Sequence, residues 1–181
     1  MIPTAQGQAP GPKASSGSGA IFGTVGGGNT QFFAYADNAL GFNFGAFYQY
    51  KLFMGAEIRG GFYPISARYT QAPITLGYRI GTHSQEGESN LGWSPFSYKH
   101  WTPFAYIGGG FSYAQDQGYS DITPPVAPAW APTWQASAGV DRAYQHFSWR
   151  MAEISWTKSY TPEHELRTPY LSTGIVFHFK H

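Results

Sequence analysis

The chain has 181 residues, enough for one domain, with 18% aromatic residues, 12% charged residues and a formal net charge of +1. A water-soluble domain typically carries about 25% charged residues, so this chain is poorly equipped to cover a hydrated surface, and without runs of Lys or Arg it lacks the electrostatic term that nucleic-acid binding needs. Cysteine is absent, which removes disulfides, thiolate nucleophiles and thiolate metal sites together, and no apolar run reaches the ~18 residues of a membrane helix.

Residues 1–18 are rich in Pro, Gly, Ser, Ala and Gln, hold one charge, Lys13, and show no periodicity, which predicts a flexible leader. They contain no basic n-region followed by an apolar stretch. Ala5-Gln6-Gly7 has the small-x-small form of a cleavage site, so residues 1–7 read either as the remnant of an export signal or as ordinary leader. Residues 19–181 are expected to form one domain, because from Gly19 onward the chain divides into about eight alternating segments punctuated by Pro, Gly, Asn, Asp or charged clusters.

The first segment, Gly19 to Gly28, has few side chains with which to set a phase. In the second, Leu40, Phe42, Phe44, Ala46 and Tyr48 share one face, and Gly41, Asn43, Gly45 and Gln49 the other, with Phe47 the one bulky residue on the polar side. The third puts Met54, Ala56, Ile58, Gly60 and Phe62 against Gly55, Glu57, Arg59 and Gly61, and the fourth puts Ile74, Leu76, Tyr78 and Ile80 against Thr75, Gly77 and Arg79, with Pro73 expected near the loop end. The fifth, Pro103 to Tyr113, has Ala105, Ile107, Gly109, Phe111 and Tyr113 on its apolar face. The sixth sets Trp134, Ala136, Ala138 and Val140 against Gln135, Ser137, Gly139 and Asp141.

The seventh, Phe147 to Lys158, does not hold one phase: placing Glu153 and Ser155 on the polar side leaves Trp149 and Met151 there too, a mismatch that a β-bulge would resolve. The eighth has Leu171, Thr173, Ile175, Phe177 and Phe179 on one face, with Tyr170, Ser172, Gly174, Val176 and His178 on the other. Each strand therefore offers one face to lipid and one to an enclosed polar centre, which predicts an all-β, eight-stranded antiparallel up-and-down transmembrane barrel.

Long links at 29–38, 64–70, 114–133 and 159–168 are expected to alternate with short turns at 51–52 and 142–146, as in barrels with short periplasmic turns and longer outer loops. The stretch 82–102 departs from that rule, being long on the short-turn side. Pro124, Pro125, Pro128 and Pro132 would stiffen the 114–133 loop.

Eight such segments, the Glu57-x-Arg59 pair, Pro103-Phe104-Ala105-Tyr106-x-Gly108-Gly109-Gly110 and the aromatic end of the last segment together resemble the OmpA-like family of small outer-membrane barrels, over about Gly19 to Lys180. The resemblance implies a place in the outer membrane of a Gram-negative-type bacterium. Its partners would be the membrane lipid and the barrel assembly machinery, which reads an alternating hydrophobic last strand, here Leu171, Thr173, Ile175, Phe177 and Phe179. Lys180 and His181 follow the final aromatic, a departure from the family's pattern. A monomer is expected, with neither a nucleic-acid partner nor a cofactor.

Glu57, Arg59, Arg79, Asp141 and Glu153 all fall on the polar face. A lumen of eight strands is just wide enough to be filled by side chains, so these five are expected to form an interior charge network interlocked with Gln49, Gln135 and Tyr170. No Gly-x-Ser-x-Gly or oriented Ser/His/acid set supports an enzyme, and the histidines (His83, His100, His146, His164, His178 and His181) lack metal-ligand spacing. Trp93, Trp101, Trp130, Trp134, Trp149 and Trp156 fit interfacial girdles. The expected role is structural, envelope-stabilising or surface-displaying, with a polar plug in the lumen. The alternative is a small-molecule carrier of lipocalin type, with its faces reversed, or a narrow porin-like pore.

Overall fold

Period-2 alternation suits a strand whose two faces meet different surroundings, and a sheet of such strands loses its unpaired edges only by closing on itself. The computed structural model describes residues 18–32, 35–50, 54–64, 69–81, 101–116, 129–144, 147–160 and 165–179. They form β1 (Ser18–Phe32), β2 (Tyr35–Gln49), β3 (Met54–Pro64), β4 (Tyr69–Gly81), β5 (Trp101–Asp116), β6 (Ala129–Ala143), β7 (Phe147–Tyr160) and β8 (Glu165–Phe179). Each strand pairs antiparallel with the next, and β8 closes on β1 from Gly19↔Phe179 to Gln31↔Arg167. The end where β1 begins and β8 finishes is called the terminal end, the opposite one the distal end.

The barrel is apolar outside and polar inside. Leu40, Leu76 and Ile154 are 75%, 65% and 67% exposed, and Phe42, Ile58, Ile107, Phe111 and Ile175 join them on the exterior. Among the described residues, buried polar and charged side chains outnumber buried apolar ones. This is the arrangement of a barrel whose solvent is lipid. A soluble carrier would need Leu40, Phe42, Ile58, Leu76 and Ile175 within, and they are not.

The strands run longer than the alternation indicates. β1 and β2 pair as far as Phe32↔Tyr35, so most of the link expected at 29–38 is ladder. Likewise β5 continues to Asp116, β6 starts at Ala129, and β7 and β8 reach Tyr160 and Glu165. Pro73 is therefore not at the loop end: it lies inside β4, opposite Ser112, with Tyr69–Ala72 beyond it. The connections do not sort by length either, since the terminal end carries 82–100 and the distal end carries 33–34. Residues 1–17 of the leader, Trp93, His83, His100, His146, His164, His181 and the body of the 82–102 and 114–133 segments lie outside the described residues, while Ser18, counted with the leader, opens β1.

Of the tryptophans, Trp101 and Trp149 stand near the terminal end and Trp130 and Trp156 toward the distal end, all exposed, while Trp134 is half-buried. Aromatic rings at two heights on the outside match the girdles of membrane barrels.

Candidate functional site

Among the described residues, six charged side chains point into the barrel from four strands: Glu57 and Arg59 from β3, Arg79 from β4, Asp141 from β6, and Arg150 and Glu153 from β7. They form a closed circuit of alternating sign. Glu57 accepts from Arg59 Nε and, at 3.1 Å, from Arg79 Nη1. Arg79 Nη2 donates to Asp141 Oδ2 at 3.1 Å, and Asp141 also accepts from Arg150, Nε to Oδ1 at 2.8 Å and Nη2 to Oδ2 at 3.3 Å. Arg150 Nη1 donates to Glu153 Oε2 at 2.9 Å, and Arg59 Nη1 donates to Glu153 Oε1, which returns the circuit to Arg59.

All six are buried. Removing a charge from water costs several kcal/mol even after relaxation, and a buried pair repays this only when its geometry and remaining hydrogen bonds are good. Three guanidinium groups against three carboxylates sum to zero, and each carboxylate accepts from two arginines.

Aromatic rings from strands outside the circuit complete its surroundings. Arg79 lies 3.9 Å from the Phe104 ring centroid and 4.2 Å from that of Phe47. Arg150 lies 4.2 Å from Phe104 and 4.6 Å from Phe22, and Arg59 lies 4.2 Å from Tyr106 and 5.3 Å from Phe22. A desolvated cation over an aromatic face is attracted by the ring quadrupole, so the rings replace part of the lost hydration of the guanidinium groups.

Glycine on the neighbouring strand, directly across the ladder, makes room for two of those rings. A Cβ on Gly45 would meet Phe22 ring carbons at 2.7 and 2.8 Å, and one on Gly139 would meet those of Phe104 at the same distances. Phe22 and Phe104 therefore lie against bare backbone with their other faces toward arginine.

Toward the distal end the lumen holds Tyr63, Ala114, Leu166 and Tyr170, with the Tyr63 and Tyr170 rings 5.0 Å apart. Beside them Gln71 donates to Ser159 at 2.7 Å and accepts from Thr168 at 3.2 Å. Toward the terminal end lie Ala20, Phe22, Phe47 and Val176, with His178 Nε2 at 2.7 Å from Ser148 Oγ.

One expectation is corrected here. Trp149 is not inward: it is 41% exposed, and Arg150 in the next position is fully buried. The register of β7 against β8 shifts between Arg150 and Glu153, and that of β6 against β7 shifts between Val140 and Asp141. This bulge at Met151 and Ala152 lets both Arg150 and Glu153 face the lumen, which strict alternation forbids. The neutral residues expected beside the charges also make hydrogen bonds. Gln49 donates to Gly81 O at 2.8 Å, Gln135 accepts from Thr75 Oγ1 at 3.1 Å and Tyr170 donates to Gly41 O.

Arg150 is the residue that sequence reasoning missed. Two signals pointed to it: the broken phase of the seventh segment, and the inequality of two arginines against three acids on the inner face. Leu171, Ile175, Phe177 and Phe179 stand exposed on the outward row of β8, which Thr173 shares. Among the described residues no group of three or more His, Asp and Glu could hold a metal ion.

No protein-family model matches the chain, and no curated protein matches it. Among solved structures, Neisserial surface protein A superposes with a TM-score of 0.63 over 91% of this chain and 100% of its own, at 10% identity. Ail, the attachment invasion locus protein of Yersinia pestis, superposes with a TM-score of 0.53 over 89% of this chain and 99% of its own, at 16% identity. With its apolar exterior, ionic interior and closed order of eight strands, the chain has the fold of the small eight-stranded outer-membrane β-barrels.

Proposed function

We propose that this chain is an integral outer-membrane barrel of structural, envelope-stabilising or surface-displaying role, whose lumen is closed by its own side chains. The observation that carries the reading is the closed circuit Glu57, Arg79, Asp141, Arg150, Glu153 and Arg59, which reaches across the barrel with its charges mutually neutralised. A solute crossing the lumen would have to part at least two ion pairs and the rings stacked on them, in surroundings where an unpaired charge is costly. The mechanism is physical: lipid burial outside, a packed polar centre inside, and the distal connections presented to the medium. In this reading the terminal end faces the periplasm, the barrel acts as a monomer, and the alternating outward row of β8 is what the assembly machinery reads.

The second reading, a narrow pore, is favoured by the polar wall, since Thr75, Ser137, Ser155, Ser172 and Thr24 all line the interior. Reconstitution into planar bilayers separates the two. A closed barrel gives no unitary conductance above the bare membrane, and Arg150→Ser raises conductance by opening the circuit. Steady channel openings from the unaltered protein would contradict the plug and support the pore.

A further inference from the structure

Among the described residues, four charged side chains lie on the lipid-facing rows of the strands. Three are grouped at the distal rim, where Glu165 sits 2.5 Å from Lys158 Nζ and 2.8 Å from Arg167 Nη2. The fourth, Arg142, stands exposed at the terminal rim with no carboxylate in ion-pair distance among the described residues. It continues the outward row Trp134, Ala136, Ala138 and Val140, with Trp101 and Trp149 as its register partners on either side. Its guanidinium lies 5.5 Å from the Trp101 ring and 5.6 Å from that of Tyr144, which itself stacks on Phe147 at 5.0 Å.

We propose that Arg142, framed by Trp101 and Tyr144, binds the phosphodiester of an anionic phospholipid; this rests on the reading of the chain as a membrane barrel. A guanidinium offers donors in a fixed fork that matches phosphate oxygens bidentately. Aromatic neighbours hold it at headgroup level, and among the described residues no carboxylate lies in ion-pair distance of it. What favours a lipid over free phosphate is the surface leading away from the rim. Val140 is flanked by Pro103 and Ala152, and Ala138 by Ala105 and Ile154, so the outward wall below Arg142 is built mainly of small side chains between bulkier rows. One acyl chain can lie in that depression while its phosphate meets Arg142. A net-anionic lipid is preferred because it brings no ammonium group to compete for the phosphate.

The test is native mass spectrometry of the folded full chain in detergent, titrated with phosphatidylglycerol, phosphatidylcholine or inorganic phosphate. Folding of each variant is checked by heat-modifiable gel mobility and insertion into vesicles. The unaltered barrel should retain one phosphatidylglycerol in preference to phosphatidylcholine. Arg142→Gln should weaken retention about fivefold, the equivalent of about 1 kcal/mol for one basic residue at an anionic surface. Ala138→Leu should weaken it without altering charge, and Arg167→Gln at the distal rim should leave it unchanged. Equal retention by Arg142→Gln, equal binding of phosphatidylcholine, or displacement of the lipid by inorganic phosphate would each overturn the proposal. Failure of the unaltered chain to insert into vesicles would instead overturn the barrel reading beneath it.

Discussion

Asp141 and Arg150 face each other across the β6–β7 ladder, and the arginine holds both carboxylate oxygens, Nε to Oδ1 at 2.8 Å and Nη2 to Oδ2 at 3.3 Å. Directly beyond this pair the β7 register shifts, so that Arg150 also reaches Glu153 three positions along its own strand. One guanidinium thus joins two acids from a position that regular alternation with Glu153 would turn toward lipid.

Replacing Arg150 with Met leaves Asp141 and Glu153 with one arginine each in a buried setting. Loss of one partner from a buried ion pair costs about 3–5 kcal/mol, so the variant should unfold in bilayer vesicles at markedly lower urea concentration than the parent. Arg150→Lys keeps the charge but not the fork, and should fall between the two. Urea titration followed by tryptophan fluorescence reads the order.

Gly45 on the inner wall and Gly23 on the outer one are predicted to differ sharply. Gly45→Ala drives a methyl group into the Phe22 ring, while a Cβ on outward-facing Gly23 meets nothing within 4 Å. Overpacking of this kind costs about 1–3 kcal/mol. Gly23→Ala should be neutral or stabilising by a few tenths of a kcal/mol up to about 1 kcal/mol, through a less free unfolded chain. The same urea titration on the two variants checks the contrast.

Deletion of Met151 and Ala152 together makes Arg150 and Glu153 neighbours, so that alternation turns one of them toward lipid. A charged arginine on the lipid face of a barrel costs about 2–4 kcal/mol at the bilayer midplane, and the circuit loses a member besides. The double deletion should fail to reach the heat-modifiable folded form, whereas deletion of Met151 alone, which leaves Arg150 and Glu153 two positions apart on one face, should reach it.

Much of this architecture is legible in the residues because bulky apolar side chains mark the lipid face without ambiguity. Leu40, Phe42 and Phe44 in β2, Ile74, Leu76 and Ile80 in β4, and Leu171, Ile175 and Phe177 in β8 all stand where their alternation puts them. The bulge is legible only as a break in phase, since Met151 and Ala152 carry no strong preference for either surrounding and so hide where the slip falls. Strand ends are hidden for a different reason. Beyond the apolar band both faces of a strand meet polar surroundings, and Asn29, Thr30 and Gln31 then read as loop although they continue the ladder of β1. The glycines of the lumen have no side chain to report a phase; their use becomes visible only when Phe22 and Phe104 are seen lying against them.

The most direct measurement concerns which surroundings the alternating residues meet. The chain has no cysteine, so Leu76→Cys, Ile107→Cys and Ile154→Cys can each carry a single nitroxide spin label in vesicle-reconstituted barrel, with collision rates measured against oxygen and against a water-soluble nickel chelate. A lipid-facing label collides readily with oxygen and hardly with the chelate, and that is the result expected at all three positions. Labels that collide freely with the chelate, or with neither reagent, would place these side chains in water or in a dry interior and contradict a membrane-spanning barrel.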